Sequence, residues 1–303
     1  MSTTEPAAGG APLPPGQVTR AAWSGAPFPD DVQAQLLAKL LTGSPFAKAL
    51  QPAPTTRGVV TWPLVSPEGA TWLAELQQFP LASLNDDVYT VAAAKLGTII
   101  QLSNESIADA SFDLAGAVGR AIADSCGPLV DDAFLYGAAA LSPKGVWAAA
   151  PEAAEAPDFR SAVITAWGEL AGAGSPVESI LVATHPTDLA SEWSRTTGDG
   201  LPLHTDAPSA ATLTLGPGIR TLAVPMMHAG DVLAFDASAV FRVARSDFAV
   251  ELSREAGFAT DSVWLRVKGR LAVAAPTPEK SLRRCTIAGA AAAAAKASTP
   301  AKK

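Results

Sequence analysis

The chain has 303 residues, 48% of them hydrophobic and 17% charged, a composition that is typical of a globular protein and excludes a wholly disordered chain. No run reaches the roughly 18 apolar residues of a membrane-spanning helix, and the N-terminus lacks the pattern of a signal peptide. The net charge of −7 divides into 21 acidic and 7 basic residues over 51–240, against 5 acidic and 12 basic residues over 241–303. The acidic part argues against tight wrapping of nucleic acid, and the two charge classes meet either across subunits or within one fold.

Residues 1–28 are rich in Pro, Gly, Ala and Thr, which indicates an extended arm or a disordered tail. A short amphipathic helix is predicted from Asp30 to Gly43. Its apolar side is formed by Val32, Leu36, Leu37, Leu40 and Leu41. A single short helix does not fold alone, so we expect it to dock on the body or on a neighbouring subunit.

Two strand segments are predicted over 57–66 and 87–102, and a long excursion over 67–87 separates them. The excursion carries four large apolar residues that a monomer would expose as a patch: Trp72, Leu73, Leu76 and Phe79. Either the excursion folds back on its own core, or it is the tip of a long hairpin that packs on a neighbouring subunit. The helical segment that follows favours the hairpin.

That next segment, Thr98 to Gly137, predicts a short strand, a polar cap over 103–106 and one long helix. Its apolar residues recur at helical spacing, namely Leu114, Val118, Ile122, Cys126, Leu129 and Phe134. Pro128 removes an amide hydrogen bond, so we expect a kink there. Gly137 is expected to end the helix in a left-handed conformation. Cys126 is predicted to be a small buried hydrophobe, and a disulfide with the distant Cys285 is left open.

A helix–strand–helix unit follows, as expected of a mixed α/β layer. The first helix is predicted to begin at Asp158 and to end at 172–174. Its buried side is formed by Val163, Trp167 and Leu170. A strand over 178–184 leads into a second helix over 187–195. Residues 196–218 predict surface loops, and from 219 the chain turns mainly to strands.

No residue pattern indicates catalysis, a metal or a cofactor. The histidines His185, His204 and His228 have no second histidine or cysteine at metal-ligand spacing, and no serine lies in a G-x-S-x-G elbow. The glycine-rich turns match no nucleotide-binding pattern. Adjacent acids at 86–87 and 131–132 point in different directions, so solvated faces or intersubunit ion pairs are predicted there rather than cation sites.

Three parts of the sequence carry a family resemblance when they are taken in order. The first is the excursion from Val59 to Val91, and the second is the segment from Ser103 to Gly137 with the Pro143-Lys144-Gly145 step that follows. The third is FAVELSREAGFATDSVWLRVKGRLAVAAP, over 248–276. Together they resemble the major capsid proteins of tailed bacteriophages over roughly residues 55–285. The resemblance implies an α+β fold of the Hong Kong 97-like type.

The resemblance also implies a division of the chain. Its parts would be an N-terminal arm with a short helix (1–55), an extended loop that is a long β-hairpin (56–102), the spine helix of the peripheral domain (103–144), the axial domain (145–240), a peripheral hairpin that returns to the axial domain (241–285), and a basic tail expected to be disordered (286–303).

The implied function is structural, not enzymatic. Pentamers and hexamers would form an icosahedral shell around double-stranded phage DNA, in the virion, after assembly in the host bacterial cytoplasm. The implied partners are other copies of the chain, a separate scaffolding protein, a portal and a decoration protein, with no membrane. Two alternatives stay open: an encapsulin-like bacterial nanocompartment shell, and a monomeric α/β hydrolase or ligand-binding protein.

Some members of this family weld their shells by an isopeptide bond between a loop-tip lysine and an asparagine in the late loop. Here Lys95, the only lysine between 49 and 143, lies on the returning strand, and neither asparagine, Asn85 nor Asn104, lies in 253–263. A non-covalent shell is therefore implied. The candidate intersubunit contacts are Leu36, Leu37, Leu40, Leu41, Trp72, Leu73, Leu76, Phe79, Arg254 and Arg266.

Overall fold

The computed structural model describes residues 43–64, 72–76, 78, 87–105, 114–196, 199, 219–253 and 255–287. Its helices are α1 (Pro45–Ala49), α2 (Leu114–Leu135), α3 (Phe159–Gly172), α4 (Pro186–Trp193) and α5 (Pro278–Ser281). Its strands are β1 (Gln51–Pro54), β2 (Val59–Pro63), β3 (Val88–Ala92), β4 (Ala94–Ser103), β5 (Ile180–Thr184), β6 (Arg220–Ala223), β7 (Asp231–Asp236), β8 (Phe241–Ser253), β9 (Ser262–Ala274) and β10 (Leu282–Thr286). Within these ranges, no helix combines the length and apolar character that crossing a membrane requires.

Four strands form the first sheet in the order β1-β8-β9-β4. Strands β8 and β9 form a long antiparallel hairpin, β4 pairs antiparallel with β9, and β1 pairs parallel with β8. Exposed and partly buried residues alternate along β4, so that Leu96, Ile100 and Leu102 pack against the core while Lys95 and Ile99 face outward. A two-residue period of this kind is typical of a strand with one face on the core.

Helix α2 shares one hydrophobic core with this sheet. Its buried stripe recurs at every fourth residue, through Val118, Ile122, Cys126, Val130 and Phe134. The prediction for Leu129 was wrong, because this side chain is 55% exposed and Val130 takes its place in the stripe. A spacing of four residues carries the stripe from Cys126 to Val130, whereas Leu129 lies about one-quarter turn away on the helix. The helix continues through Pro128, and the side chain of Leu114 lies outside the described residues.

The carboxyl end of α2 is closed by the chain that follows it. Gly137 has a φ of +60°, which confirms the predicted left-handed C-cap. The chain then doubles back, and the amide of Val146 donates to the Phe134 carbonyl at 2.9 Å. The amide of Trp147 donates to the Leu135 carbonyl at 2.8 Å. Two of the carbonyls that a helix end leaves without partners are thereby satisfied.

Gly145 lies at the crossing of this returning segment with the helix end. A Cβ atom at Gly145 would lie 2.5 Å from the carbonyl carbon of Tyr136 and 2.7 Å from the nitrogen of Gly137. Only a residue without a side chain allows the two backbones to approach this closely. The Pro143-Lys144-Gly145 step is therefore the point at which the chain passes over the end of α2.

The second sheet has the order β10-β7-β5-β6. Strand β5 pairs antiparallel with β7 and parallel with β6, and β10 pairs antiparallel with β7. One face packs against α3 and α4, while the other contributes Leu233, Phe235 and Leu282 to the core that contains α2. Because both faces are covered, β5 and β7 are buried almost throughout, as their apolar runs predict.

The predicted helix–strand–helix unit is confirmed in this layer. Asp158 caps α3 by accepting a hydrogen bond from the Ser161 amide at 2.8 Å, and Gly174 beyond its end has a φ of +99°. Val163 and Leu170 are fully buried, and Trp167 is half-buried. Strand β5 and helix α4 then follow within a few residues of their predicted bounds.

Strands β2 and β3 form a separate antiparallel hairpin, with Trp62 opposite Tyr89. Trp62 stacks on Phe241 of β8 with ring centroids 5.9 Å apart, which fastens the base of the hairpin to the edge of the first sheet. The sequence predicted one strand segment over 87–102. The structure divides it at Ala93, whose amide donates to the Gly58 carbonyl, so that β3 and β4 belong to different sheets.

Cys126 in α2 and Cys285 in β10 are both free and buried, so the disulfide that the sequence left open does not form. Burial raises the pKa of both thiols. Buried thiols of this kind behave as small apolar side chains and are not reactive groups.

Candidate assembly surfaces

The N-terminal segment is fastened to α2 by a buried carboxylate. Asp131 is 0% exposed. Its Oδ1 accepts a hydrogen bond from the Ala47 amide at 3.0 Å, and its Oδ2 accepts one from the Phe46 amide at 3.2 Å. One helical turn earlier, the Ser44 hydroxyl donates to the Gly127 carbonyl at 2.9 Å. A side chain of α2 thus satisfies the first amides of α1, which have no partner within their own helix.

Close packing reinforces this anchor. The buried ring of Phe46 meets Phe235 of the second sheet edge to face, with centroids 5.2 Å apart. The backbones of Gly43 and Gly127 touch, since a Cβ atom at Gly127 would lie 2.8 Å from the Gly43 carbonyl oxygen. The arm leucines Leu36, Leu37, Leu40 and Leu41 lie outside the described residues, and their intersubunit role stays a prediction.

For Asp131 the expectation of a solvated face or an intersubunit ion pair was wrong. The carboxylate is buried and hydrogen-bonded within its own chain, while its neighbour Asp132 is half-buried. A signal was present in the sequence, because Asp131 lies four residues after Gly127 and four before the buried Leu135, on the side of the helix next to the apolar stripe. The hydrogen-bond partners of Asp131 could not be predicted from the sequence, because they lie more than eighty residues away.

Burial raises the pKa of Asp131 from 3.8 to about 6, and the hydrogen bonds from Ala47 and Phe46 offset only part of this increase. Because the pKa is higher in the folded chain, this group favours folding most below the unfolded value and loses that contribution as the pH rises through about 6. We expect acidification from pH 7 to pH 5 to raise the free energy of unfolding of the wild type, relative to Asp131→Asn, by about 1 kcal/mol. Urea unfolding at both pH values measures it, and parallel profiles for the two proteins would contradict it.

The described part of the connection between β2 and β3 presents large apolar side chains to solvent. Trp72 and Leu76 are fully exposed, at 101% and 103%, and Leu73 is half-buried. Leu76 also has a φ of +64°, a conformation that is uncommon for leucine. Phe79 lies outside the described residues. The exposure of Trp72 and Leu76 agrees with a surface that another subunit covers, although their role as contacts stays a prediction.

The late hairpin carries one of the two arginines that the sequence singled out. Arg266 on β9 is exposed and pairs with Glu251 on β8, with 2.9 Å between Nε and Oε2. Lys268 binds the same carboxylate, and the two cations lower the pKa of Glu251. Arg266 thus has a partner within its own chain, and a contact to another subunit stays a prediction. Arg254 lies outside the described residues, and Phe258 at the turn is 91% exposed.

Asn104 lies against this late turn in space, although it is far from it in sequence. Its backbone amide donates to the Asp261 carbonyl at 3.0 Å, and its Nδ2 donates to the Asp261 carboxylate at 2.6 Å. Asp261 is left-handed, with a φ of +43°. The beginning of the segment between β4 and α2 is therefore tied to the turn of the late hairpin.

A polar cluster joins the end of α2 to the second sheet. The Tyr136 hydroxyl donates to Asp231 Oδ2 and accepts from the His228 amide, both at 2.9 Å, and the imidazole stacks on the phenol ring at 4.2 Å. Burial raises the pKa of Tyr136, so the phenol stays a neutral donor. His185 caps α4, and His204 lies outside the described residues. In the part of the chain that the structure describes, no group of three or more His, Cys, Asp or Glu side chains is placed to hold a metal ion.

The model of the phage capsid family matches residues 25–280 of this chain. Among solved structures, a chain from the capsid of a native GTA particle is 16% identical with a TM-score of 0.63, covering 82% of this chain and 91% of that one. A chain from Mycobacterium phage Bobi is 18% identical with a TM-score of 0.64, covering 82% and 91%. A chain from a virus-like particle of Pyrococcus furiosus is 12% identical with a TM-score of 0.57, covering 84% and 98%. No curated protein is significantly similar in sequence.

The likeness to these solved structures shows the fold, and confirms the predicted phage-capsid architecture of the Hong Kong 97-like type. The family match spans most of the chain, including the anchor at α1, both sheets and the late hairpin. The chain belongs to the phage capsid family and is a structural capsid protein.

Proposed function

We propose that this chain is the major capsid protein of a tailed bacteriophage, and that its copies form pentamers and hexamers of an icosahedral shell around double-stranded DNA. The observation that carries this proposal is the family match over residues 25–280. The similarity of fold to a chain in the capsid of a GTA particle supports it. The protein has a structural rather than an enzymatic role. Its place is the virion, after assembly in the host bacterial cytoplasm.

The division of the chain follows the same proposal. Residues 1–55 form the arm, 56–102 the extended loop, 103–144 the spine helix of the peripheral domain and 145–240 the axial domain. Residues 241–285 form the peripheral hairpin and return to the axial domain, and 286–303 form a basic tail. The pairing of β10 with β7 supports the return, since it brings residues 282–286 into the second sheet. The anchor at Asp131 supports an arm that leaves the body beside α2.

Subunits hold one another without covalent cross-links in this proposal. Lys95 lies within β4, away from the tip of the extended hairpin, and the amide group of Asn104 is engaged with Asp261. Exposed apolar side chains on different parts of the surface, Leu76, Leu141 and Phe258, support burial between copies instead. Heterologous contacts of this kind close into rings. A separate scaffolding protein, a portal and a decoration protein complete the proposed set of partners.

Light scattering and negative-stain electron microscopy of the purified chain, alone and with the phage scaffold, test the proposal. Shells or rings of five or six subunits are the expected result. The contents of particles recovered from infected cells separate a phage capsid, which holds DNA, from an encapsulin-like compartment, which holds an enzyme. A species that remains monomeric with the scaffold present would contradict the proposal and favour a ligand-binding protein.

Leu76→Asp is expected to leave the subunit folded and to reduce assembly by roughly tenfold or more, since a charge would then have to be buried at the loop tip. The left-handed backbone at this position accommodates Asp at least as well as Leu, so the fold itself loses nothing. Sedimentation velocity measures the assembled fraction. Leu76→Asn, which is polar but neutral, is the matched control and should assemble better than the aspartate variant. Normal particles from Leu76→Asp would exclude this side chain as a contact.

A further inference from the structure

The first sheet places two cations directly opposite each other on its outer face. Lys95 of β4 and Arg270 of β9 are register partners, and both are exposed. Like charges that face each other across antiparallel strands destabilise the pair. Gly97, the next outward-facing residue of β4, lies opposite Lys268, and a Cβ atom there would lie 2.6 Å from the Val267 carbonyl oxygen.

A bulge in β8 adds a third cation to this place. The register of β8 on β9 shifts between Ala244 and Ser246, and Arg245 falls in the irregularity. Bulges re-aim side chains in this way. Arg245 lines a cleft of about 340 Å³ together with Lys95, Lys268 and Arg270.

Arg245 also lines a second cleft, of about 460 Å³. That cleft includes Thr55, Thr56 and Arg57, which lie in the exposed turn between β1 and β2. The two clefts meet at Arg245 and form one surface, here called the basic cleft, of Arg57, Lys95, Arg245 and Arg270 with two threonine hydroxyls. Among the residues that the structure describes, no carboxylate lines either cleft.

Among the described residues, no acidic side chain neutralises the cations of the basic cleft. Glu251, an acidic residue of the same sheet, is already bound by Arg266 and Lys268. None of the ion pairs among the described residues includes Arg57, Lys95, Arg245 or Arg270. An anion from outside the subunit would relieve the repulsion between Lys95 and Arg270.

We propose that the basic cleft binds the carboxylates of an acidic segment on a second copy of this chain, an inference that rests on the proposed function. Residues 51–240 hold 21 acidic and 7 basic residues, so that every copy brings carboxylates in excess to its neighbours. The net charge of −7 on the whole chain disfavours a nucleic acid as the occupant. Arginine and lysine in a shared cleft suit carboxylate partners, and complementary charge steers and selects the contact.

Lys95→Glu provides the sharpest test. The new carboxylate would pair with Arg270 inside the subunit, so the melting temperature is expected to equal or exceed that of the wild type. Assembly is expected to fall, with the subunit concentration for half-assembly rising roughly tenfold or more, because the cleft is neutralised from within. Arg57→Glu, in an exposed turn, should show the same loss without any change in the fold. Arg120→Glu, on the exposed side of α2, carries the same change of net charge and should assemble as the wild type does.

Light scattering of the four proteins, and retention of duplex DNA by each, give decisive outcomes. If the wild type forms no particles with its scaffold, the proposed function fails. If it does and both cleft variants assemble at the wild-type concentration, the inference alone is overturned. An equal loss of assembly in Arg120→Glu would show that the change in net charge causes the effect, and it would also overturn the inference. Normal assembly of the cleft variants with lost retention of DNA would assign the cleft to nucleic acid instead.

Discussion

Replacing Gly145 by alanine is expected to destabilise the folded chain by about 3 kcal/mol or more. The new Cβ atom would lie 2.5 Å from the carbonyl carbon of Tyr136 and 2.7 Å from the nitrogen of Gly137. These are backbone atoms, and the hydrogen bonds of Val146 and Trp147 to the end of α2 hold them in place. No side chain can rotate away to relieve the overlap. The two backbones therefore have to move apart, and the hydrogen bonds that close the end of α2 are weakened.

Urea unfolding followed by circular dichroism measures this loss. Gly168→Ala is the matched control, because a Cβ atom at Gly168 in the middle of α3 meets nothing within 4 Å outside its own helix. Alanine is the better helix former, so this control is expected to stabilise the chain by up to about 1 kcal/mol. If both alanine variants unfold at the same urea concentration, the close crossing at Gly145 does not exist in solution.

Removing the carboxylate of Asp131 is expected to cost about 2 kcal/mol at pH 7, and more at pH 5. In Asp131→Ala the amides of Phe46 and Ala47 lose their acceptor, and both residues are almost fully buried. An unsatisfied buried amide carries its full desolvation penalty. Relief of the buried charge offsets part of this loss at pH 7, and less at pH 5, where the wild-type carboxyl group is mostly protonated.

Hydrogen exchange resolves where the stability is lost. We expect the amides of Phe46 and Ala47 to lose protection in Asp131→Ala, while the amides of α3 keep theirs. Asp132→Ala removes the same charge one residue further on and serves as the control. If the amides of Phe46 and Ala47 lose as much protection in Asp132→Ala, the anchor depends on the negative charge of the helix and not on the Asp131 hydrogen bonds.

The elements with strong local patterns were predictable. The cap at Asp158, the glycine at 174 and the apolar spacing of α3 all lie in the single stretch 158–174, and each reports the conformation of its own part of the backbone. The same holds for Gly137 at the end of α2. In the functional surface, the exposure of Trp72 and Leu76 agrees with the interpretation of the excursion as a protruding hairpin.

The predictions that were wrong, and the features that were not predicted, depend on which distant residues come into contact. Leu129 and Val130 are adjacent apolar residues, and the packing of α2 in its core buries Val130 and leaves Leu129 exposed. The sequence predicted a solvated Asp131, because its partner α1 lies more than eighty residues earlier in the chain. A break at Ala93 separates β3 from β4, although nothing in the local pattern interrupts the strand.

By itself the sequence determined the family resemblance, the order of helices and strands, and the residues that cap them, because these follow from backbone preferences and side-chain periodicity over a few turns. Tertiary structure alone decided the anchor of the arm at Asp131, the crossing of Gly145 over the end of α2, and the meeting of Lys95 with Arg270. The anchor and the cation pair join segments that are remote in the chain, and the crossing depends on how the returning segment packs on the end of α2. Register is set by the packing of the whole core, and no local stretch of sequence contains it.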